Sequence, residues 1–384
     1  MKYETTPANP SARHLKAFVC ESALPFWASF GFDEHAGCFE ERLDFSGAPI
    51  KDSPRRLMVQ ARQIVVYARA SLQNWHVDTR QCAHRAFETT SRKYRSPDGN
   101  AGWAFSILPD GRFDLTRDLY GHAFVLYMLA CVYKLTSDPG VLTLADATLL
   151  DIDRIFSDGS GQGYLSKVPG AINLREQNPH MHLFEGLLAL AEASGAERYI
   201  ARAAALVTLF DEVLTDPKTG AVREVFDAHW RPLKPPGENL VEPGHQMEWV
   251  WLLKEWERLT GFPVGERVER LCTHAITFGI DATQGIVRGI VREDGEVSSN
   301  ALRVWPQTET IRALCRIDPE GVTWPGLVSR ITEMLFINHL QPHLNGGWID
   351  QISEAGEPAI DFMPASTLYH LVGAAIDSEI AGPN

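Results

Sequence analysis

No Cys-x-x-Cys pair occurs in this chain of 384 residues; its six cysteines, Cys20, Cys38, Cys82, Cys131, Cys272 and Cys315, are scattered singly. Neither a zinc knuckle nor a disulfide framework is signalled, and they read as buried thiols of a reducing compartment. The chain also lacks G-x-x-x-x-G-K-[ST], and it has no G-x-G-x-x-G following a strand, so the usual phosphate-cradling loops of nucleotide sites are missing. Clusters of Lys and Arg are absent too, and with a formal net charge of -13 a nucleic-acid partner has no electrostatic footprint. A neutral small substrate fits better. The opening MKYETTPANPSARH has no basic region leading into an apolar run, and no eighteen consecutive apolar residues occur anywhere. The expectation is a soluble, cytoplasmic protein with no membrane partner.

What is present is helical periodicity. With 45% hydrophobic and 22% charged residues the composition supports a large core. Apolar residues recur at three and four spacing from about residue 11 onward, between clusters of Gly, Pro and Asp. The pattern predicts twelve helices, over 11–30, 54–73, 76–92, 117–135, 140–156, 179–194, 197–214, 243–260, 264–279, 300–316, 323–339 and 364–379. Short excursions between them open on a glycine followed mostly by an apolar or aromatic residue: Gly37, Gly102, Gly163, Gly220, Gly285 and Gly347, spaced 57 to 65 residues apart. Self-similarity at one period marks a repeat architecture. Twelve helices in six antiparallel pairs, with no polar capping repeat, predict a closed all-α (α/α)6 barrel rather than an open solenoid. The six excursions become short β-hairpin loops at one rim. Residues 1–384 are expected to form one domain, with 381–384 as a loose tail.

The polar residues follow the same period. Arg62, His122, His182, His245, Glu309 and His370 each come from the first helix of a repeat, 60 to 64 residues apart. In a ring they converge as a polar floor under a cup. Pro179, Pro243 and Pro364 stand just before His182, His245 and His370, and proline in a first turn fixes where a helix begins. The sharpest stretch is EPGHQMEWVW, which sets His245 and Glu248 three apart on one helical face. A carboxylate beside imidazole fixes its tautomer and tunes its pKa for proton transfer. The bland reading is a set of core histidines with local partners, strongest for His122 in its apolar helix and for His180. Trp103, Trp249, Trp305, Trp348 and Tyr120 are core candidates, although aromatic faces beside polar groups also stack against sugars. Arg62 is a costly buried cation unless it meets a carboxylate or a developing oxyanion. Two H-x-x-E pairs, His182 with Glu185 and His245 with Glu248, raise a metal site, but the order reverses the usual Glu-x-x-His and no further carboxylate pair stands in register. No metal and no cofactor is expected.

Six motifs together resemble the N-acylglucosamine 2-epimerase superfamily, which includes mannose isomerase, sulfoquinovose isomerase and cellobiose 2-epimerase. They are VQARQIVVYA, YGHAFVLYML, NPHMHLFEGLLAL, EPGHQMEWVWLL, WPQTETIRAL and MPASTLYHLVGA, and they span nearly the whole chain. The resemblance implies the six-hairpin barrel, metal-free proton transfer beside a sugar carbonyl, and His245 and His370 as acid and base. It also implies that Arg62, Asn178, His182, Glu248 and Glu309 bind the open-chain sugar or orient those histidines, with a protonated His182 and Arg62 steadying the enediolate; His122 and Trp305 complete the expected substrate contacts. Within the superfamily QARQIVVYA, WPQTE and PASTLYH look most like the mannose isomerase branch. Leu368 stands where the disaccharide epimerases tend to carry a tryptophan, which implies a monosaccharide. The leading expectation is a D-mannose/D-fructose isomerase, monomeric or homodimeric. A sugar 2-epimerase, of N-acylglucosamine or mannobiose type, is the alternative. A glycoside hydrolase, which needs two opposed carboxylates, or a sugar-binding protein on the same barrel is more remote.

Overall fold

Helices buried on nearly every side alternate along the chain with helices buried along one side, and this alternation sorts them into two layers. The computed structural model describes residues 10–75, 79–171 and 173–380. Helix α1 runs from Pro10–Ala17 through a π-helical turn, Phe18–Ala23, into Leu24–Phe30. Next come α2 (Leu57–Leu72), α3 (Thr79–Tyr94), α4 (Leu119–Thr136), α5 (Pro139–Phe156), α6 (Gln177–Ser194) and α7 (Glu197–Leu209). The chain closes with α8 (Pro243–Thr260), α9 (Gly265–His274), α10 (Val304–Ile317), α11 (Leu327–Asn338) and α12 (Thr367–Ile380). α7 and α9 also end in π-helical turns, Phe210–Leu214 and Ala275–Gly279.

The even-numbered helices form the inner ring. Each packs against the next, α2 on α4, α4 on α6, α6 on α8, α8 on α10 and α10 on α12, and α12 returns to α2. α3, α5, α7, α9 and α11 back α2, α4, α6, α8 and α10, while α1 backs α12, so the first helix completes the last hairpin. The (α/α)6 barrel and its closure are thus as the period predicts. α4, LYGHAFVLYMLACVYKLT, is long and apolar enough to cross a membrane by composition, and its burial in the inner ring accounts for that composition. Asp118 caps its start by accepting from Gly121 N at 2.9 Å. Pro243 and Pro139 stand at the first positions of α8 and α5, where a missing N–H costs nothing. The expected tail at 381–384 and the predicted start of α3 at 76 lie outside the described residues.

The rim differs from a set of independent hairpins. The strand leading into each inner helix pairs antiparallel with the excursion of the next repeat: 55–56 with 106–107, 117–118 with 167–168, 174–176 with 225–227, 240–241 with 290–292 and 302–303 with 351–352. The sixth, 362–364, pairs with 42–44 near the other end of the chain. The excursions are laced to one another around the ring. Five of the six predicted glycine starts hold positive φ, and at the sixth it is Gly346 (φ 102°) rather than Gly347 that does so. Those turns need glycine: at Gly102 a Cβ would come 2.8 Å from His122 Nε2.

Candidate active site

The register of the inner helices decides which polar side chains share a height. Counted from each helix start, the fourth residues of α2, α4, α6, α8 and α10 are Gln60, His122, His180, Gln246 and Gln307. These hold the excursions rather than the cup. Gln60 accepts from Phe39 N and donates to Phe39 O, and Gln307 does the same with Val287. His122 Nε2 accepts from Trp103 N at 3.0 Å while its Nδ1–H donates to Asp118 O at 2.7 Å. His180 repeats this with Tyr164 N and Glu176 O. Burial lowers the pKa of both histidines to about 4. The expected substrate contact at His122 is therefore corrected: both its nitrogens are spent on backbone, and it is a hook for the loop after Gly102.

Two residues further on, the sixth positions are Arg62, Phe124, His182, Glu248 and Glu309, and His370 joins them through Glu309. Here the chemistry gathers. His370 Nδ1 donates to Glu309 Oε1 at 2.6 Å. Glu309 Oε2 accepts from Arg312 Nη1 at 2.6 Å. Burial, reinforced by the charges of Arg62 and Arg312, pushes the pKa of His370 well below its ordinary value. It stands as the neutral imidazole.

His245 sits one turn nearer the rim, third in α8, and its partner is not the expected one. Its Nδ1 meets Glu224 Oε2 at 3.0 Å, and Glu224 also accepts from Gln177 Nε2 at 2.9 Å and from Glu242 N at 3.2 Å. Glu248, three residues on, turns instead toward His182 at 3.8 Å. Burial alone would lower the pKa of His245, but Glu224 and Glu242 outweigh it and raise the pKa to about 9. It stands as the imidazolium. Trp305, half-buried, lies between the two histidines, with ring centroids 4.7 Å from His245 and 6.1 Å from His370.

His182 Nδ1 donates to Glu185 Oε2 at 3.0 Å, and Glu185 also accepts from the Tyr369 hydroxyl. Burial lowers the pKa of His182 to about 4. This corrects the expectation of a protonated His182; the positive charge beside it is Arg62. That guanidinium donates to Tyr120 Oη at 2.6 Å and lies over Phe124 at 4.2 Å and Tyr369 at 4.9 Å. Among the described residues no carboxylate lies within ion-pair distance of it. Among the described residues Arg62 Nε, Asn178 Oδ1 and Glu248 Oε1 are buried without a hydrogen-bond partner. Burial, with Glu309 and Glu185 nearby, raises the Glu248 pKa well above the usual carboxylate range. Trp103, Trp249, Trp348 and Leu368 are fully buried in the core and do not line the cup.

Two groups have metal-ligand spacing, His182–Glu185–Glu248 and Glu224–Glu242–His245, with their nearest ligand atoms within 4.8 Å. In each, the histidine Nδ1 already faces a carboxylate, so an ion there would have to displace a proton and a hydrogen bond.

Glu224, Arg312 and Tyr369 were not among the expected site residues, and Tyr120 was named only among the aromatic candidates. Glu224 carries a signal that was available: it stands four residues after Gly220, as Glu41 stands four after Gly37, and Glu41 likewise accepts from the backbone N–H before an inner helix, that of Arg56.

Comparison with known proteins supports the fold and gives the family. A protein of Rhizobium meliloti named mannose-6-phosphate isomerase is 31% identical, over 96% of both chains. A cellobiose 2-epimerase of Bacteroides fragilis is 23% identical over 75% of this chain and 77% of its own. The crystal structure of a D-mannose isomerase superposes with a TM-score of 0.86 at 20% identity, covering 98% of this chain and 100% of that one. The family model of N-acylglucosamine 2-epimerase (GlcNAc 2-epimerase) matches residues 37–374, and the chain belongs to that family.

Proposed function

We propose that this chain is a sugar aldose-ketose isomerase that interconverts D-mannose and D-fructose through a cis-enediol. The observation that carries the reading is the pair His245 and His370, packed on Trp305 and held in opposite protonation states. Two proton-transfer groups whose environments drive their pKa values apart make an acid and a base. His370, neutral with Nδ1–H fixed on Glu309, takes the proton from C2 and returns it to C1. His245, as imidazolium, donates to the ring oxygen on opening and serves the hydroxyl protons. Arg62, whose charge meets no carboxylate, stabilises the enediolate oxygen. Glu248, kept protonated, and Asn178 hydrogen-bond the open chain, and Trp305 stacks on its C–H face. Metal-free chemistry and a monosaccharide substrate belong to the same reading; the buried Leu368 gives a second sugar ring no platform.

The isomerase of Rhizobium meliloti, similar over nearly the full chain, supports this choice. A 2-epimerase is the second reading, because a neutral base facing a charged acid is also the arrangement that returns a proton to the opposite face of C2. Carbon NMR of EDTA-treated protein with D-mannose in D2O separates the two. Fructose supports the isomerase, and glucose as first product moves the assignment to epimerisation. An unchanged spectrum rejects free mannose as substrate, and mannose 6-phosphate, N-acetylglucosamine and mannobiose are then the substrates to test.

A further inference from the structure

Behind Glu309 lies a charged residue that the sequence did not single out. Arg312 is fully buried, as is Glu309. Its guanidinium donates through Nη1 to Glu309 at 2.6 Å and through Nε to Asp377 Oδ2 at 2.9 Å. On one side it lies 3.9 Å over the Trp251 ring. Across from it is Gly373, where a Cβ would come 3.2 to 3.3 Å from the Nε, Cδ and Cζ atoms of Arg312. An aromatic face, a missing side chain and a second carboxylate thus fix a desolvated cation one residue removed from His370. A buried cation is expensive to keep, and this one touches neither imidazole.

We propose that Arg312, clamped by Trp251, Gly373 and Asp377, is a positioning residue that offsets the charge of Glu309 so that His370 stays oriented and neutral, as a base must. The inference rests on the isomerase or epimerase reading for its purpose, but not for its test. A carboxylate whose charge is neutralised from behind still accepts the Nδ1–H, yet it no longer draws a second proton onto the ring. The other charged or titratable groups around His370 are Arg62 from α2, His182 and Glu185 from α6, Glu248 from α8 and Tyr369 on its own helix. None of them bonds Glu309, so Arg312 acts through a contact the others lack.

The test is the titration of His370, followed by NMR in protein labelled with 15N-histidine and assigned against H370Q, alongside the pH profile of kcat/KM. In R312M the charge of Glu309 is uncompensated, and both the titration and the acidic limb are expected to move up by about one pH unit or more. R312K restores the charge and is expected to bring the titration most of the way back, which a merely structural role would not do. D377N is the second variant. Asp377 lines a cavity of about 410 Å³ at the opposite end of the barrel, so the exchange leaves the core packing alone even if R312M fails to fold. Removing this rival carboxylate leaves more of the Arg312 charge on Glu309, and the titration is expected to move down. A titration that stays at its wild-type position in R312M, or that rises or stays fixed in D377N, overturns the proposal. Because the NMR titration needs no substrate, an enzyme inactive on every sugar tested would sink the catalytic reading alone.

Discussion

His245 and His370 make the same first contact, Nδ1 to a glutamate, and part company one atom further out. Behind His370, the charge of Glu309 is shared with Arg312 and then Asp377. Around His245, Glu224 has no arginine among its partners in the described residues, and a second carboxylate, Glu242, adds to it. Both rings are 6% exposed, so burial does not distinguish them. The protonation state of a buried histidine is set less by the group it touches than by what that group touches next.

The most direct way to break the comparison is to remove one ring. H370Q is expected to cost about a thousandfold or more in kcat, within the range for a lost acid–base group, while sugar binding measured by calorimetry persists. A variant that kept most of its turnover would end the assignment of His370 as base. R62M comes next: a drop of about a hundredfold in kcat with little change in KM is expected if the guanidinium acts on the enediolate, whereas a pure KM effect would make it a ground-state contact.

E224Q sharpens the comparison, because it gives His245 a neutral partner. The pKa of about 9 should fall, and since the acid must be protonated, the alkaline limb of kcat/KM should move down by about a unit or more. Stability follows the same sign. A raised histidine pKa contributes stability that is complete below the unfolded value of 6.5 and is lost as pH rises through about 9. The wild-type melting temperature should therefore decline across that window more steeply than that of E224Q, and equal slopes would show that Glu224 does not set the charge. The smallest effect on turnover belongs to H122N. Loss of an excursion hook should cost about 1–3 kcal/mol of stability in denaturant titration, with kcat near wild type; a large loss of kcat in a folded protein would return His122 to the site.

How much of this was legible beforehand follows from what repeats and what does not. The helices and the ring lie in the apolar period, and Arg62, His182 and Glu309 fall at the sixth position of their helices because that period repeats. Asn178 was reached through the motifs, Glu248 through its three-residue spacing from His245, and Trp305 as one of several aromatic candidates. His122 was misplaced because a 60-residue spacing cannot tell the fourth helical position from the sixth, and that slip turns a side chain from the cup to the loops. Glu224 was missed because it stands on an excursion, where no helical period applies. Arg312 reads in sequence as one more arginine three residues past a glutamate, a spacing shared by any solvated helix face; only the packing of Gly373 and Trp251 shows that it is enclosed.

One property of the ring has an electrical consequence. All six inner helices begin at the laced rim, so the partial positive charges of six N-termini converge on the cup. A molecule of net charge -13 thereby gathers positive helix-terminal charge at the end of the barrel that holds His245 and His370. The same field works against any cation placed there, alongside the burial that holds His182 and His370 neutral and that Glu224 and Glu242 outweigh at His245. At the far mouth, where six C-termini gather, Arg69, Lys134, Arg258 and Arg316 stand in the last turns. The helix dipoles thus polarise the barrel along its axis, positive toward the end that holds the histidines.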